Sequence, residues 1–189
     1  MIAWSDALEP TAVVLGLGFT LLAGLGYSIS WWFGMVSSAL YVVMAWLSGY
    51  YLDVVLNVFY VLAAFYGLWS WKQPGQNSFK VPKLPKNHVL LWWTLPAPLG
   101  VLVGWLVGMI PSASLPLLDG MTTFYAFAGT YLLAKKQKLG WAIFVPVDLV
   151  MAAMYAYKEW HFAALHFLLL TALAIFAWMR WEKDGKKAN

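Results

Sequence analysis

One carboxylate dominates the chemistry open to this sequence. Asp148 interrupts the run Phe144-Val145-Pro146-Val147-Asp148-Leu149-Val150, and an ionisable group in such company costs about 2.5–3.5 kcal/mol to insert into a bilayer. A penalty of that size marks a functional candidate, although an Asp satisfied by a neighbouring helix purely for packing leaves the same pattern. Pro146 stands two residues earlier; it has no N–H to donate and so loosens the preceding turn beside the carboxylate. Trp141, Asp148 and Tyr155 recur at intervals of seven, and helical positions so spaced drift only about 20° per step and share one face. Two π-surfaces and a carboxylate on one face suit a flat cationic ligand, through cation–π attraction and charge pairing. A stripe of rings serving packing alone has the same spacing.

Weaker candidates surround this group. Asp53, Asn57 and Tyr60 share a helical stripe at spacings of four and seven. Asp53 and Asp119 each stand near the start of an apolar stretch, where a carboxylate also favours a helix N-terminus. Trp31 and Tyr41 add aromatic surface on a second stretch, and Thr122, Thr123 and Thr130 are the usual partners of helix–helix hydrogen bonds. His161 and His166 are five apart, which on a helix separates them by roughly 140° around the axis, so they do not share one metal ion. His166 is a cavity candidate or a satisfied core histidine. No metalloprotease, P-loop, nucleophile-elbow or dinucleotide fingerprint is present, no metal or other cofactor is expected, and with no Cys there is no thiolate site.

The elements that must hold these residues follow from composition. Hydrophobic residues make up 62% of the 189 and charged residues 11%, with a mean hydropathy of +0.70, whereas soluble domains are about half apolar and a quarter charged. This chain is solvated by lipid. Its 13 Trp residues are expected at the bilayer interfaces or around a flat ligand. Crossing the hydrocarbon takes roughly 17–25 apolar residues, and seven stretches meet or approach that: 11–28, 30–47, 51–71, 89–110, 117–134, 140–157 and 161–181. The links at Ser28–Ser30 and Ser48–Tyr50 are so short that each joins an antiparallel hairpin. Pro96, Pro98, Pro111 and Pro116 mark kinks and the turn between the fourth and fifth stretches. Residues 1–10 lack the basic start of a cleavable signal peptide, so the first stretch is read as a retained span.

Charge tests the count of seven, because Lys and Arg gather on the cytoplasmic side and successive loops alternate sides. Seven spans place Lys72, Lys80, Lys83, Lys86, Lys135, Lys136, Lys138, Arg180, Lys183, Lys186 and Lys187 on one side and only Lys158 on the other. One missed span would scramble that sorting. The pattern predicts a multi-pass protein of the bacterial inner membrane with its N-terminus outside and its C-terminus in the cytoplasm. Because the net charge of +4 lies in loops between spans, it is not read as a nucleic-acid footprint.

Sliding the chain along itself until Trp31 falls on Trp141 also aligns Met44 with Met154, Ala64 with Ala174, Trp71 with Trp181 and Gly75 with Gly185, without a gap. The span boundaries align with them. The reading is an all-α membrane protein of seven helices in a 3-1-3 arrangement: a three-helix repeat over 11–71, a linker helix over 89–110 and a second repeat over 117–181. The linker makes the repeats parallel, a symmetry known among transporters, whose substrates bind near the midplane between repeats.

With these residues in view, the chain resembles the PnuC-type vitamin transporters, whose fold is SWEET-like, over nearly its whole length. The resemblance rests on Asp53, Asn57 and Tyr60, then Tyr66-Gly67-Leu68-Trp69-Ser70-Trp71, Leu118-Asp119, Lys135-Lys136 and Trp141. It implies uptake of an unphosphorylated B vitamin by facilitated diffusion, with a cytosolic kinase of the same pathway trapping the vitamin inside. The branch that carries nicotinamide riboside has a Trp-x-x-Trp-x-x-x-Asn element in span six, where this chain reads Trp141-x-x-Phe144-x-x-x-Asp148. Phe144 and Asp148 depart from it, and with the short chain the departure points to the thiamine branch. Nicotinamide riboside is the alternative, since both vitamins carry a permanent positive charge on an aromatic ring. Asp148, Trp141, Asn57, Tyr60, Asp53, Tyr41, Asp119, Thr123, Tyr155 and His166 form the candidate substrate site. From other classes, an intramembrane enzyme would need Asp148 and His166 within hydrogen-bond reach, and a scaffold would have no solute cavity. A homo-oligomer is compatible with the sequence.

Overall fold

The computed structural model describes residues 5–47, 51–71, 80–110 and 114–187. Among them every regular element is an α-helix: α1 Ser5–Gly24, α2 Ser30–Leu47, α3 Tyr51–Trp71, α4 Lys86–Thr94, α5 Pro96–Val107, α6 Pro116–Ala134, α7 Leu139–Tyr157 and α8 His161–Lys187. Among the described residues five segments are long and apolar enough to cross a membrane, namely Ser30–Leu47, Asp53–Trp71, Lys86–Val107, Leu139–Tyr157 and His161–Gly185, and Leu8–Gly24 is a shorter apolar stretch. In α6, the side chain of Asp119, two glycines and three threonines dilute the apolar character of its 19 residues.

The fourth span departs from the continuous helix expected over 89–110. It is two helices, α4 and α5, broken at Leu95. Pro96 and Pro98 have no N–H to offer the carbonyls of Trp92 and Thr94, so two helical bonds are missing at that point. Helix α5 ends at Val107, and α8 continues to Lys187 instead of stopping at 181. The Ser48–Tyr50 link, Lys72, Gly75 and Pro111 lie outside the described residues.

The chain divides into two compact units, residues 1–79 and 80–189. In the first, α2 packs against both α1 and α3. Ser37 donates a 2.7 Å hydrogen bond to the carbonyl of Ala12, tying α2 to α1. Trp31 is 1% exposed; its ring meets Phe19 of α1 at 5.2 Å and the edge of Trp71 of α3 at 5.5 Å and 85°. Gly67 lies so close beneath that indole that a Cβ would fall 2.2 Å from it, which excludes any other residue without a shift of the ring.

In the second unit α7 packs against both α6 and α8, and α5 packs on α6. The α5–α6 crossing is a backbone-to-backbone contact through small residues. A Cβ on Gly120 would lie 2.4 Å from the carbonyl oxygen of Gly100, and one on Gly104 would lie 2.6 Å from that of Pro116. Gly100, Gly104 and Gly108 are spaced by four, the pattern by which membrane helices approach closely enough to gain dispersion contact without a hydrophobic drive. Tyr125 of α6 donates a 2.6 Å hydrogen bond to the carbonyl of Trp93 in α4.

Two local geometries recur at the repeat interval. Trp141 meets Trp181 edge-on at 5.7 Å and 88°, as Trp31 meets Trp71. At the end of α1 the amides of Leu25, Gly26 and Tyr27 donate to the carbonyls of Leu21, Ala23 and Leu22; at the end of α6 those of Lys135, Lys136 and Gln137 donate to Tyr131, Leu133 and Leu132. The left-handed residue closing each helix is Gly26 (φ 84°) in one and Lys136 (φ 57°) in the other.

Candidate functional site

Asp148 occupies the centre of α7, nine residues from either end. At 1.5 Å per residue that is about 14 Å from each helix terminus, the depth of a bilayer midplane. The residue is 6% exposed, and among the described residues no hydrogen bond or ion pair reaches its carboxyl group. A buried carboxyl group without a partner is costly to keep, which makes it a candidate for a functional site. Helix α7 runs unbroken through Pro146, whose ring is on an exposed side. The proline leaves the carbonyl of Ala142 without its helical donor, one and a half turns below Asp148.

Trp141 lies at the junction of α7 and α8. It is 1% exposed and packs nearly perpendicular to Trp181, itself 0% exposed. In this structure the ring therefore takes part in the packing between α7 and α8. The buried Nε1 of Trp141 has no conventional acceptor, and the same is true of Trp31. In both cases a second indole stands nearly perpendicular, an arrangement in which the ring edge meets a π-face.

Tyr155 is the aromatic residue of that stripe with access. Half-buried, it stacks on Phe167 at 5.3 Å and 12° and on Trp160 at 5.8 Å and 22°. His166 meets the same Phe167 edge-on at 5.5 Å, with its Nδ1 buried and without a partner. The result is an aromatic cluster across the α7–α8 turn, two helical turns from Asp148. Sequence reasoning missed Trp160 and Phe167; the signal was the density of rings on both sides of that turn. Among the described residues no hydrogen bond joins Asp148 to His166, which an intramembrane enzyme would need.

Asp119 is exposed in the first turn of α6, with Lys158 at the C-cap of α7 within electrostatic reach. Thr122 spends its hydroxyl on the carbonyls of Leu118 and Asp119 at 2.9 and 3.0 Å, while Thr123 is half-buried. In the first unit, Asn57 donates a 2.8 Å hydrogen bond to the carbonyl of Asp53. Tyr60 is half-buried beside Phe59 at 5.8 Å, Asp53 is exposed, and Tyr41 is half-buried on α2. The Asp53–Asn57–Tyr60 stripe thus belongs to one unit and Asp148, Tyr155 and His166 to the other. Among the described residues no group of three or more His, Cys, Asp or Glu could hold a metal ion.

A family model described as nicotinamide mononucleotide transporter matches residues 6–183. The nicotinamide riboside transporter PnuC of Escherichia coli strain K12 is 20% identical over 213 residues, spanning 98% of this chain and 88% of that protein. The transporter of the same name from Neisseria mucosa is 22% identical over 196 residues, spanning 95% of this chain and 73% of that protein. Among solved structures, the crystal structure of the vitamin B3 transporter PnuC superposes with a TM-score of 0.76 over 96% of this chain and 83% of that one, at 21% identity. At that identity the likeness establishes the all-helical membrane fold.

Proposed function

We propose that this chain, which belongs to the nicotinamide mononucleotide transporter family, moves nicotinamide riboside across the bacterial inner membrane by facilitated diffusion. Membership sets aside the intramembrane enzyme and favours a transporter over a scaffold. The named relatives favour nicotinamide riboside over the thiamine preferred from the sequence. The observation that carries the site is Asp148, a buried carboxyl group with no partner at the middle of α7. Nicotinamide riboside brings a permanently cationic aromatic ring, which such a group accepts by charge pairing.

In this reading Asp148 binds the ring and Tyr155, on the same helix, offers it a π-surface. Asp119, Thr123 and His166 are further candidates of the second unit, and Asn57, Tyr60, Asp53 and Tyr41 form a separate set of candidates on the first unit. The three helices α1–α3 and the three helices α6–α8 are read as a duplicated unit, with α4 and α5 together as the crossing between them. The sorting of basic residues, eleven against one, puts the N-terminus outside and the C-terminus in the cytoplasm. Phosphorylation of the imported vitamin by a cytosolic kinase then prevents its return.

One observation favours a second substrate. Phe144 and Asp148 stand where the nicotinamide riboside branch has Trp and Asn, so thiamine, also a cationic ring, is the second reading. Uptake of labelled nicotinamide riboside and of labelled thiamine is compared in cells deficient in each import route. Accumulation of nicotinamide riboside above the empty vector is expected. Accumulation of thiamine alone replaces the first reading by the second, and accumulation of neither ends both.

A further inference from the structure

We propose that residues 80–86 form a lysine comb that holds anionic phospholipid headgroups at the rim of the second unit. This goes beyond the substrate reading and does not depend on it. The segment reads Lys80-Val81-Pro82-Lys83-Leu84-Pro85-Lys86, a Lys-x-Pro unit repeated and closed by a third lysine. It precedes α4 without helix or strand, and Pro85 sits at φ −57° and ψ 143°, in the polyproline II region. A polyproline II strand returns to the same edge every three residues at about 3.1 Å each, and three residues is the spacing of Lys80, Lys83 and Lys86.

Burial follows the same period. Val81 is buried and Leu84 half-buried, whereas Lys80, Pro82, Lys83, Pro85 and Lys86 are exposed. The apolar edge is seated on the end of α8, where a Cβ on Gly185 would meet Val81 at 3.8 Å. Among the described residues Lys80, Lys83 and Lys86 form no ion pair, while two nearby acids are engaged elsewhere, Glu182 with Lys138 and Asp184 with Arg180. Exposed Lys135, Arg180 and Lys183 belong to helix ends of the same basic side.

The occupant follows from position and charge. Lys86 is the first residue of the apolar segment Lys86–Val107, so the comb stands where a spanning helix emerges into the headgroup layer. There a row of exposed ammonium groups meets lipid phosphates. A soluble domain that reads polyproline helices needs the apolar and proline edges together, and here the apolar edge is already turned onto α8.

Purified protein in neutral detergent is titrated with phosphatidylglycerol, phosphatidylcholine or inorganic phosphate, with lipid retention followed by native mass spectrometry. Wild type is expected to prefer phosphatidylglycerol to phosphatidylcholine by roughly tenfold, less at high salt. The variant Lys80→Gln/Lys83→Gln/Lys86→Gln loses that preference while keeping its helix content and elution volume, and Lys80→Arg/Lys83→Arg/Lys86→Arg keeps it. The proposal is overturned if the glutamine variant prefers phosphatidylglycerol as wild type does, if the arginine variant loses the preference too, or if inorganic phosphate displaces the lipid at equal concentration. Retention of a polyproline-binding domain without any lipid preference would overturn it as well.

Discussion

Phe144 on α7 lies directly over Gly129 on α6, where an added Cβ would stand 2.8 Å from its ring. In the first unit the sizes are exchanged between helices: Phe19 on α1 lies over Gly34 on α2, with a Cβ there 3.0 Å from the ring. The shift that brings Trp31 onto Trp141 brings Phe19 onto Gly129 and Gly34 onto Phe144. Both three-helix groups therefore keep a contact of one ring and one glycine while the helix that supplies the ring changes.

This contact predicts coupling. Gly129→Leu overfills the site and is expected to lower stability by about 1–3 kcal/mol. Combined with Phe144→Ala, the loss is smaller than the sum of the single losses by more than about 0.5 kcal/mol. Thermal or denaturant unfolding of the four proteins in detergent measures the cycle. Additive losses would show that the two residues do not share a space.

Lys136 closes α6 in the left-handed conformation that Gly26 adopts in the equivalent turn. A side chain there costs roughly 1 kcal/mol, so Lys136→Gly is expected to stabilise the protein by up to about that amount. The residue is buried, and burial holds its amine below the usual lysine range. Its folded pKa is thus below its unfolded one, near 10.4, and the unfolded chain binds the proton more tightly. Stability should therefore rise with pH up to that value, and the variant should lose this slope. Unfolding midpoints of both proteins between neutral and alkaline pH test the gain and the slope.

Helix α5 reaches the backbone of α6 only because Gly104 and Gly120 have no side chains. Gly104→Ala is expected to cost about 1–3 kcal/mol. Leu102→Ala, on an exposed face of the same helix, should stay within about 0.5 kcal/mol. Equal melting shifts for the two variants would contradict the close crossing.

The helices were legible because a bilayer demands long apolar runs, and the matched tryptophans were visible as identities between the two halves of the chain. Their depth was not. A spacing of seven tells that Trp141 and Asp148 share a side of α7, and not that Trp181 covers the ring. The break at Leu95 was signalled by Pro96 and Pro98, but its position depends on which carbonyls lose their donors. The extension of α8 to Lys187 follows residues too polar for the hydrocarbon rule, which carries no information about helix in water. Left-handed Lys136 gave no local sign, since glycine is the usual marker; Gly26, onto which the same shift brings it, was the clue. The glycines at 100, 104 and 108 and the Lys-x-Pro repeat were open to reading in their spacing.

The side chain of Asp148 is also predicted to act through hydrogen bonding as well as charge. Asp148→Asn keeps the size and a hydrogen-bonding oxygen, so it should weaken uptake less than Asp148→Ala while both fold as wild type. Labelled uptake normalised to protein in the membrane orders the three. An alanine variant that transports as well as wild type would remove Asp148 from the site.

The most direct measurement is calorimetric binding of nicotinamide riboside to purified wild type and to Asp148→Ala, each with intact helix content. Saturable binding to wild type, weakened at least about tenfold in the variant, which corresponds to about 1.4 kcal/mol, is the result expected from a carboxylate that pairs with the cationic ring. Unchanged affinity in a folded Asp148→Ala protein would contradict it.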